Sequence, residues 1–405
     1  MKRVKFYTLG CKVNQYDTQS IRERFLSLGF KEIHNGRKAD VCLINTCTVT
    51  RVADRKSRDT IRHCIRENPG ARIIVTGCLA EIDNDSLTGI KGVDYIVGKR
   101  FFPVGISKFC GHTRAFLKIQ DGCDNFCSYC KVPLVRGRCR SRPLHEIVHE
   151  AGRLVQNGYK EIVLTGICLG SYGKDLKPKS DLVKAIEALE NIDGLLRIRL
   201  SSIEAGDVSD ELINKMAESN KLCPHLHIPI QSGDNTILKK MNRKYSRDDY
   251  LKLIRKIKKQ VPGIAITTDC LVGFPTETQR QFENTVNLLK KIIPLRTHIF
   301  PYSEREGTPA AGNFSAKIER EELLKRARHL KEAALSCTQA YQKKLLNKRL
   351  PVLFEGRLRQ GKGPWEGYTD NYIPVKVKSR RELKNKLLAV TLKRIDNGHV
   401  IGCLG

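Results

Sequence analysis

Long apolar runs are missing from this chain. No stretch of its 405 residues approaches the roughly 20 that a membrane helix needs, which excludes a spanning segment. Low-complexity tracts are missing too, and 40% hydrophobic with 29% charged residues is the composition of a folded globular protein. Acid is in short supply: Lys and Arg number 73 against 43 Asp and Glu, a formal net charge of +30. Solubility requires far less. The excess favours a polyanionic partner, nucleic acid first, over a merely solvated basic surface. The opening "MKRVKFYTLGCKVNQYD" is basic, but Cys11-Lys12 breaks its apolar stretch, so it reads as a strand rather than a signal peptide. A reducing, cytoplasmic setting follows, in which 15 cysteines suggest metal or catalysis rather than disulfides.

A chain of this length is expected to form two or three domains. In the first hundred residues, buried strands at 4–10, 39–47, 71–78 and 93–98 alternate with helices near 14–28 and 49–67. That pattern predicts a small α/β domain with a parallel sheet, residues 1–105. Three of the four strands end in a cysteine: Cys11, Cys47 and Cys78. Ligands of open parallel sheets bind at the strands' C-terminal edge, so these thiols are expected to converge. Cys42, Cys64, Cys168, Cys223 and Cys337 read instead as small buried hydrophobes.

Strands then recur at 115–120, 160–166, 195–201, 225–230, 264–269 and 296–301, with helices near 143–157, 180–190, 208–219, 247–259, 277–291 and 318–346. Six βα units without a nucleotide-type Gly-x-Gly-x-x-Gly predict a partial barrel over 110–342, its functional loops at the strands' C-terminal ends. Residues 343–405 change to short strands punctuated by Gly, Asn and Asp, as in a small antiparallel barrel of the oligonucleotide-binding kind. This segment carries 15 Lys and Arg against 5 Asp and Glu. Trp365, Tyr368 and Tyr372 are interleaved among them, an arrangement suited to stacking on bases, although core packing accounts for some of the rings.

The first barrel strand runs into "DGCDNFCSYCKVPLVRGRCRSRP" (121–143), where Cys123, Cys127 and Cys130 stand in a C-x3-C-x2-C array with Tyr129 before the last. A four-iron cluster needs four ligands, so three protein thiolates leave one iron open for a substrate or cofactor. Zinc is the rival, with Cys139 as fourth ligand, but structural zinc sites pair two knuckles and Cys139 has no partner of its own. Cys110 and Cys139 read as bystanders.

The array and its place after a first barrel strand resemble radical S-adenosylmethionine enzymes. "TLGCKVNQYDT", "INTCTV", "VTGC", "EIVLTGICLGSYG", "RIRLSSIE", "HLHIPIQSGDNTILKKMNRKY", "GFPTET" and "IFPYSEREGTPA" follow in the order seen in methylthiotransferases, and the C-terminal segment looks like that family's RNA-binding TRAM domain. "LGCKVNQYDT" and "TGICLGSYG" resemble the branch acting on N6-threonylcarbamoyladenosine beside the tRNA anticodon, at position 37. The isopentenyladenosine branch usually opens "YGCQMN" and the ribosomal-protein branch "LGCPKN". Thr276 stands where the family commonly has Gly, and Cys168 where His is frequent.

The resemblance implies two 4Fe-4S clusters and two S-adenosylmethionine molecules per turnover. The cluster on Cys123, Cys127 and Cys130 would bind S-adenosylmethionine, whose reductive cleavage gives a 5′-deoxyadenosyl radical that abstracts hydrogen from adenine C2. A second cluster on Cys11, Cys47 and Cys78 would hold the sulfur that is added. Gly166, Ser202, Glu204 and Gln231 lie at strand ends as candidate contacts to S-adenosylmethionine, and Tyr129 adjoins the cluster. Asn14 and Asn45 flank the second site as possible hydrogen-bond donors to sulfur, with a helix cap the alternative for Asn14. Gly273 and Pro275 set a turn after which Glu277 starts a helix. Arg136, Arg138, Arg140 and Arg142 are placed to guide tRNA phosphates or to pair with barrel carboxylates. The lysines of "KKMNRKY" and "KLIRKIKKQ" read as solvated helix faces. The implied partners are the tRNA anticodon stem-loop, an electron donor such as a flavodoxin or ferredoxin, and a sulfur source. The same chemistry on isopentenyladenosine or a ribosomal protein is the alternative, ahead of a non-catalytic RNA-binding metalloprotein.

Overall fold

The computed structural model describes residues 1–34, 36–98, 105–314, 316–358, 363–396 and 398–404. The short strands expected over 343–405 therefore include positions 359–362, 397 and 405, which lie outside the described residues. The N-terminal unit is a five-stranded, wholly parallel sheet in the order β2-β1-β3-β4-β5: β1 (Arg3–Thr8), β2 (Lys31–Glu32), β3 (Val41–Thr46), β4 (Arg72–Gly77) and β5 (Tyr95–Ile96). Helices α1 (Lys12–Ser27), α2 (Arg51–Glu67) and the short α3 (Asn84–Thr88) connect them. Every residue of β3 is buried, which is why its first four residues read as an apolar run before Asn45 and Thr46.

In the central unit the parallel strands are β6 (Ala115–Lys118), β9 (Glu161–Thr165), β10 (Arg197–Leu200), β11 (His225–His227), β12 (Ala265–Val272) and β13 (Arg296–Pro301). Two three-stranded sheets, β10-β9-β6 and β11-β12-β13, are joined by parallel bridges Ile198–Leu222 and Ser202–His227, giving an open barrel in sequential order. Helices α5 (Leu144–Gln156), α6 (Leu182–Glu190), α7 (Asp210–Glu218), α9 (Arg247–Gln260), α10 (Gln279–Ile292) and α12 (Arg320–Lys343) cover it. The sequence pattern did not signal a hairpin, β7 (Gln120–Asp121) with β8 (Arg140–Ser141), nor the short helices α4 (Val132–Arg136), α8 (Asn235–Lys240) and α11 (Pro309–Asn313).

Glu277 does not start α10. Thr278 caps that helix through a reciprocal pair with Gln281, and Glu277 is buried against Arg326 of α12 at 3.3 Å. Thr276, just before it, holds a left-handed φ of 69°, the conformation glycine takes without strain, and its hydroxyl accepts from Lys240.

The last unit is a closed barrel in the order β14-β15-β16-β18-β17, from β14 (Arg349–Arg357), β15 (Trp365–Thr369), β16 (Pro374–Val377), β17 (Leu387–Asp396) and β18 (His399–Leu404). All its pairs are antiparallel except β16–β18, which is parallel. Its core continues into the central unit through Ala265, Leu295, Tyr341 and Leu345. Polar bonds lock the same interface. Fully buried Glu161 sits 2.7 Å from Arg199 Nε and 3.5 Å from Arg197, while both arginines donate to C-terminal barrel carbonyls at Pro351, Tyr368, Thr369 and Asp370. Among the described residues no helix is long and apolar enough to cross a membrane.

Candidate functional site

One cavity of about 530 Å³ lies where all three units meet. Cys11, Cys47 and Cys78 form part of its wall, opposite the C-terminal ends of β9 and β10 and residues along β11 to β13 from His225 and Arg296 at their starts, and Tyr372 of the last barrel closes a side. Parallel pairing accounts for the convergence. Thr8, Thr46 and Gly77 end adjacent strands, so the residues just beyond them share one edge. Gly10 makes the turn possible: at φ 104° a Cβ there would stand 2.9 Å from Asn14 Nδ2 and 3.2 Å from Cys47 Sγ. Burial pushes the Cys47 thiol up, and the neighbouring Cys78 and Cys11 thiols push the same way.

Asn14 is an interior residue of α1, not its cap, since Cys11 takes the cap position. Its Nδ2 donates to Leu9 O (2.8 Å) and Thr46 O (2.9 Å), leaving Oδ1 towards Cys78 Sγ at 3.8 Å. Asn45 does not reach a thiol; its Nδ2 is spent on Asn14 O and Thr18 Oγ1. Arg136 is not a phosphate guide. It is 6% exposed, 2.7 Å from Asp121, and donates to Asn14 Oδ1. Arg142 is likewise committed, to Glu150 at 2.8 Å, whereas Arg138 and Arg140 are exposed.

Cys123, Cys127 and Cys130 share the loop between β7 and α4, and the helix that follows contributes Lys131, Val132, Val135 and Arg136 to the cavity. Arg243 Nη1 donates to Cys127 Sγ at 3.3 Å, its Nη2 ion-pairs with Glu204, and Tyr245 OH completes its shell at 3.0 Å. Arg243, with a side chain only 3% exposed, lies in the "NRKY" stretch read as solvated; its pairing is a tertiary fact that a basic run conceals. Burial pushes Cys130 up to about 12 and raises Cys127, Arg243 opposing the shift at both. Thiolate there needs a positive partner, which suits a metal-binding loop.

Tyr129 packs against the buried cluster of Ile237, Met241, Leu271, Phe274 and Ala310. Cys168 is buried as expected but in polar company: Asn125 Nδ2 donates to its sulfur at 3.4 Å, Ser171 Oγ is 3.3 Å away, and Cys123 adjoins it. Gly166 and Ser202 line the cavity, and a Cβ at Gly166 would lie 2.7 Å from Gln120 Oε1. Gln231 sits at φ 60° with its backbone bonded to Asp269 O and Leu271 N; neither it nor Glu204 lines the cavity.

The remaining wall carries groups that the sequence reading passed over. His225 and His227 alternate along β11, a period-two signal that places both on one face. Thr267 Oγ1 bridges His225 Nε2 and His227 Nδ1 at 2.9 Å each, and His227 Nε2 lies 3.2 Å from Asp269 Oδ2. Burial holds His225 well below the usual histidine range, hence neutral. His227, Asp269 and His298 have donor atoms within 4.8 Å of one another, a spacing that suits a metal ion, but Lys12, Arg199 and Arg296 share the cavity and repel a cation. Tyr372 and Tyr368 stack at 5.1 Å, and Arg114, Arg199 and Arg296 stand over the Tyr372 ring. These rings and the buried Trp365 serve the interior, not an exposed stacking face.

The chain matches the family model described as the radical SAM superfamily over residues 117–289, and that of the uncharacterized protein family UPF0004 over residues 3–98. Threonylcarbamoyladenosine tRNA methylthiotransferase MtaB of Bacillus subtilis (strain 168) is 38% identical, over 97% of this chain and 94% of its own length. The tRNA-2-methylthio-N(6)-dimethylallyladenosine synthase of Clostridium tetani (strain Massachusetts / E88) is 33% identical, over 96% of this chain and 93% of its own. The solved structure of the radical S-adenosylmethionine methyltransferase TsrM from Kitasatospora setae aligns with a TM-score of 0.53 at 14% identity, covering 76% of this chain and 74% of that one, a likeness of fold.

Proposed function

The chain belongs to the radical S-adenosylmethionine tRNA methylthiotransferases, and on that premise we propose that it converts N6-threonylcarbamoyladenosine beside the anticodon to its 2-methylthio form. The observation that carries this reading is the cavity, which has a thiol triad on one wall and, on another, the helix leading out of a second triad. The threonylcarbamoyl substrate is favoured by the wording around Cys11 and Gly166 and by relatives of that name.

Cys11, Cys47 and Cys78 would hold one 4Fe-4S cluster, and Cys123, Cys127 and Cys130 the other. The donor sets fit: three thiols each, all at least partly buried except the exposed Cys11, with N–H donors at hand in Arg243 and Arg136. When bound, the clusters and S-adenosylmethionine supply the one-electron cleavage and the sulfur that an unreactive C2–H bond requires. The chain's own residues set geometry and charge. Arg243 orients Cys127 and is itself held by Glu204 and Tyr245. The loop helix α4 closes the cavity, and the histidine–threonine–aspartate chain forms its polar floor. Residues 1–105, 110–342 and 343–405 divide the labour as sulfur-donor unit, radical barrel and TRAM-like tRNA docking barrel. Two S-adenosylmethionine molecules are consumed per turnover, and an electron donor such as a flavodoxin or ferredoxin and a sulfur source complete the reaction.

The test offers anaerobically reconstituted enzyme tRNA carrying either N6-threonylcarbamoyladenosine or isopentenyladenosine, with reductant and S-adenosylmethionine. Mass spectrometry of the nucleosides should show methylthiolation of the first only. Conversion of the second alone would reject the substrate.

A further inference from the structure

We propose that Lys12, Arg296 and His225 form a subsite that reads the threonylcarbamoyl arm, the two cations taking its carboxylate and His225 Nδ1 accepting from its ureido N–H. This rests on the substrate assigned above and adds the groups that select it.

Five cations line the cavity, Lys12, Lys131, Arg136, Arg199 and Arg296, against one carboxylate, Asp269. Arg136 is committed to Asp121 and Arg199 to Glu161, each at 2.7 Å. Lys131 adjoins Cys130 at the mouth of the thiol loop. Lys12 and Arg296 make neither a hydrogen bond nor an ion pair with any described residue. Their contacts are ring faces: Lys12 Nζ is 6.0 Å from the Phe116 centroid, and the Arg296 guanidinium 5.9 Å from that of Tyr372. Cations held in a cavity wall without a carboxylate await an anion, because burying charge unpaired is costly.

The hydrogen-bond partners around His225 supply the second observation, and the proton assignment follows from them. Asp269 beside His227 Nε2 fixes the proton there, so His227 Nδ1 accepts from the Thr267 hydroxyl. That hydroxyl then accepts from His225 Nε2, leaving Nδ1 of a neutral ring as a bare acceptor. Nδ1 is buried and has no hydrogen-bond partner among the described residues, in a residue 3% exposed whose ring packs 4.8 Å from that of Tyr372. An unpartnered acceptor and two cations without a carboxylate, all in the lining of one cavity, complement an arm that presents N–H donors beside a carboxylate. An apolar prenyl arm would leave all three unmet.

The probes are anticodon stem-loop RNAs bearing N6-threonylcarbamoyladenosine, its methyl ester or isopentenyladenosine, offered to the cluster-loaded full-length enzyme. Both kcat/KM and binding by fluorescence anisotropy are measured. Wild type should prefer acid over ester by about 10- to 100-fold, the strength of a hydrogen bond to a charged group. Lys12→Gln and Arg296→Gln should each bring the ratio close to one, while Lys12→Arg and Arg296→Lys keep most of it. His225→Phe should weaken acid and ester alike, by about tenfold, with their ratio unchanged. Arg296 lies on β13, remote in sequence from every thiol, so its variant decides the matter if Lys12→Gln disturbs the neighbouring Cys11. Preference for the prenylated RNA by wild type would overturn the substrate. An undiminished acid-to-ester ratio in Arg296→Gln, with wild type still selecting the acid, would overturn the subsite alone.

Discussion

Arg136 donates a hydrogen bond to Asn14 Oδ1, joining the helix that follows one thiol triad to the helix that follows the first thiol of the other. Asn14 can accept because its amide is anchored to the carbonyls of Leu9 and Thr46. The contact therefore sets how α4 sits against the loops that carry Cys11 and Cys47.

Arg136→Met should be costly for this reason. It would remove one of the two cations that face Asp121 and Asp17, at 2.7 and 3.9 Å respectively, and leave Lys118 as the other. Losing a charged hydrogen bond from this partly buried cluster, with Lys118 still facing both carboxylates, costs about 1.5–3 kcal/mol. Denaturant unfolding should show a loss of that order, with methylthiolation lost more completely than uncoupled cleavage of S-adenosylmethionine. A variant as stable and as productive as wild type would show that the contact carries no load.

The two triads should separate by function. Cys127→Ala is expected to abolish cleavage of S-adenosylmethionine while keeping about half of the iron, because three-thiol sites load independently. Cys47→Ala should retain some cleavage and yield no methylthiolated nucleoside. Iron and sulfide analysis must accompany both assays. Full cleavage by Cys127→Ala, with its iron shown to be lost, would reject the assignment of that loop.

What was legible in the sequence had local causes. Buried parallel strands read as apolar runs, and a strand-end cysteine announces an edge, so the six βα units and the expected convergence of Cys11, Cys47 and Cys78 emerge from pattern. Charge partnerships were not legible. Arg243 and Arg136 look like members of basic stretches until folding places Glu204, Asp121 and Asn14 beside them. Pattern leaves Tyr372 open between base stacking and core packing, and a left-handed φ of 70° at a turn between β15 and β16 places it in the cavity wall. His225 and His227 could have been found from their alternation, yet a histidine pair on a strand is ambiguous until a cavity faces it.

Glu277 should make stability fall as pH rises. Burial pushes its pKa up to about 7, outweighing the Gly273 N–H at 3.0 Å and Arg326 at 3.3 Å. A carboxyl whose folded pKa exceeds its unfolded value of about 4.3 binds more protons when folded. Its contribution is therefore complete below the unfolded pKa and disappears as pH rises through about 7. Integrated over that window it amounts to about 3–4 kcal/mol. Glu277→Gln should remove this slope, which urea unfolding at pH 5 and pH 8 measures directly. An unchanged pH dependence in the variant would mean that Arg326 keeps the carboxylate ionised.

Docking of tRNA by the C-terminal barrel is better tested by charge reversal than by truncation. Deleting residues 343–405 would strip the carbonyls of Pro351, Tyr368, Thr369 and Asp370 from buried Arg197 and Arg199, so lost binding could reflect lost folding. Lys378, Arg380 and Arg381 are exposed on the same barrel, after β16 and clear of that interface. Phosphate contacts contribute through counterion release, with a slope in log K against log salt of about 0.7–0.9 per contact. Reversing all three to Glu should weaken binding by at least about tenfold at physiological salt, and should make the salt dependence shallower by about two units. Cleavage of S-adenosylmethionine without tRNA should be unaffected, because these side chains lie outside the cavity wall. Equal affinity and an equal salt slope in the triple variant would move the docking surface elsewhere, to the exposed Arg138 and Arg140 beside the radical loop.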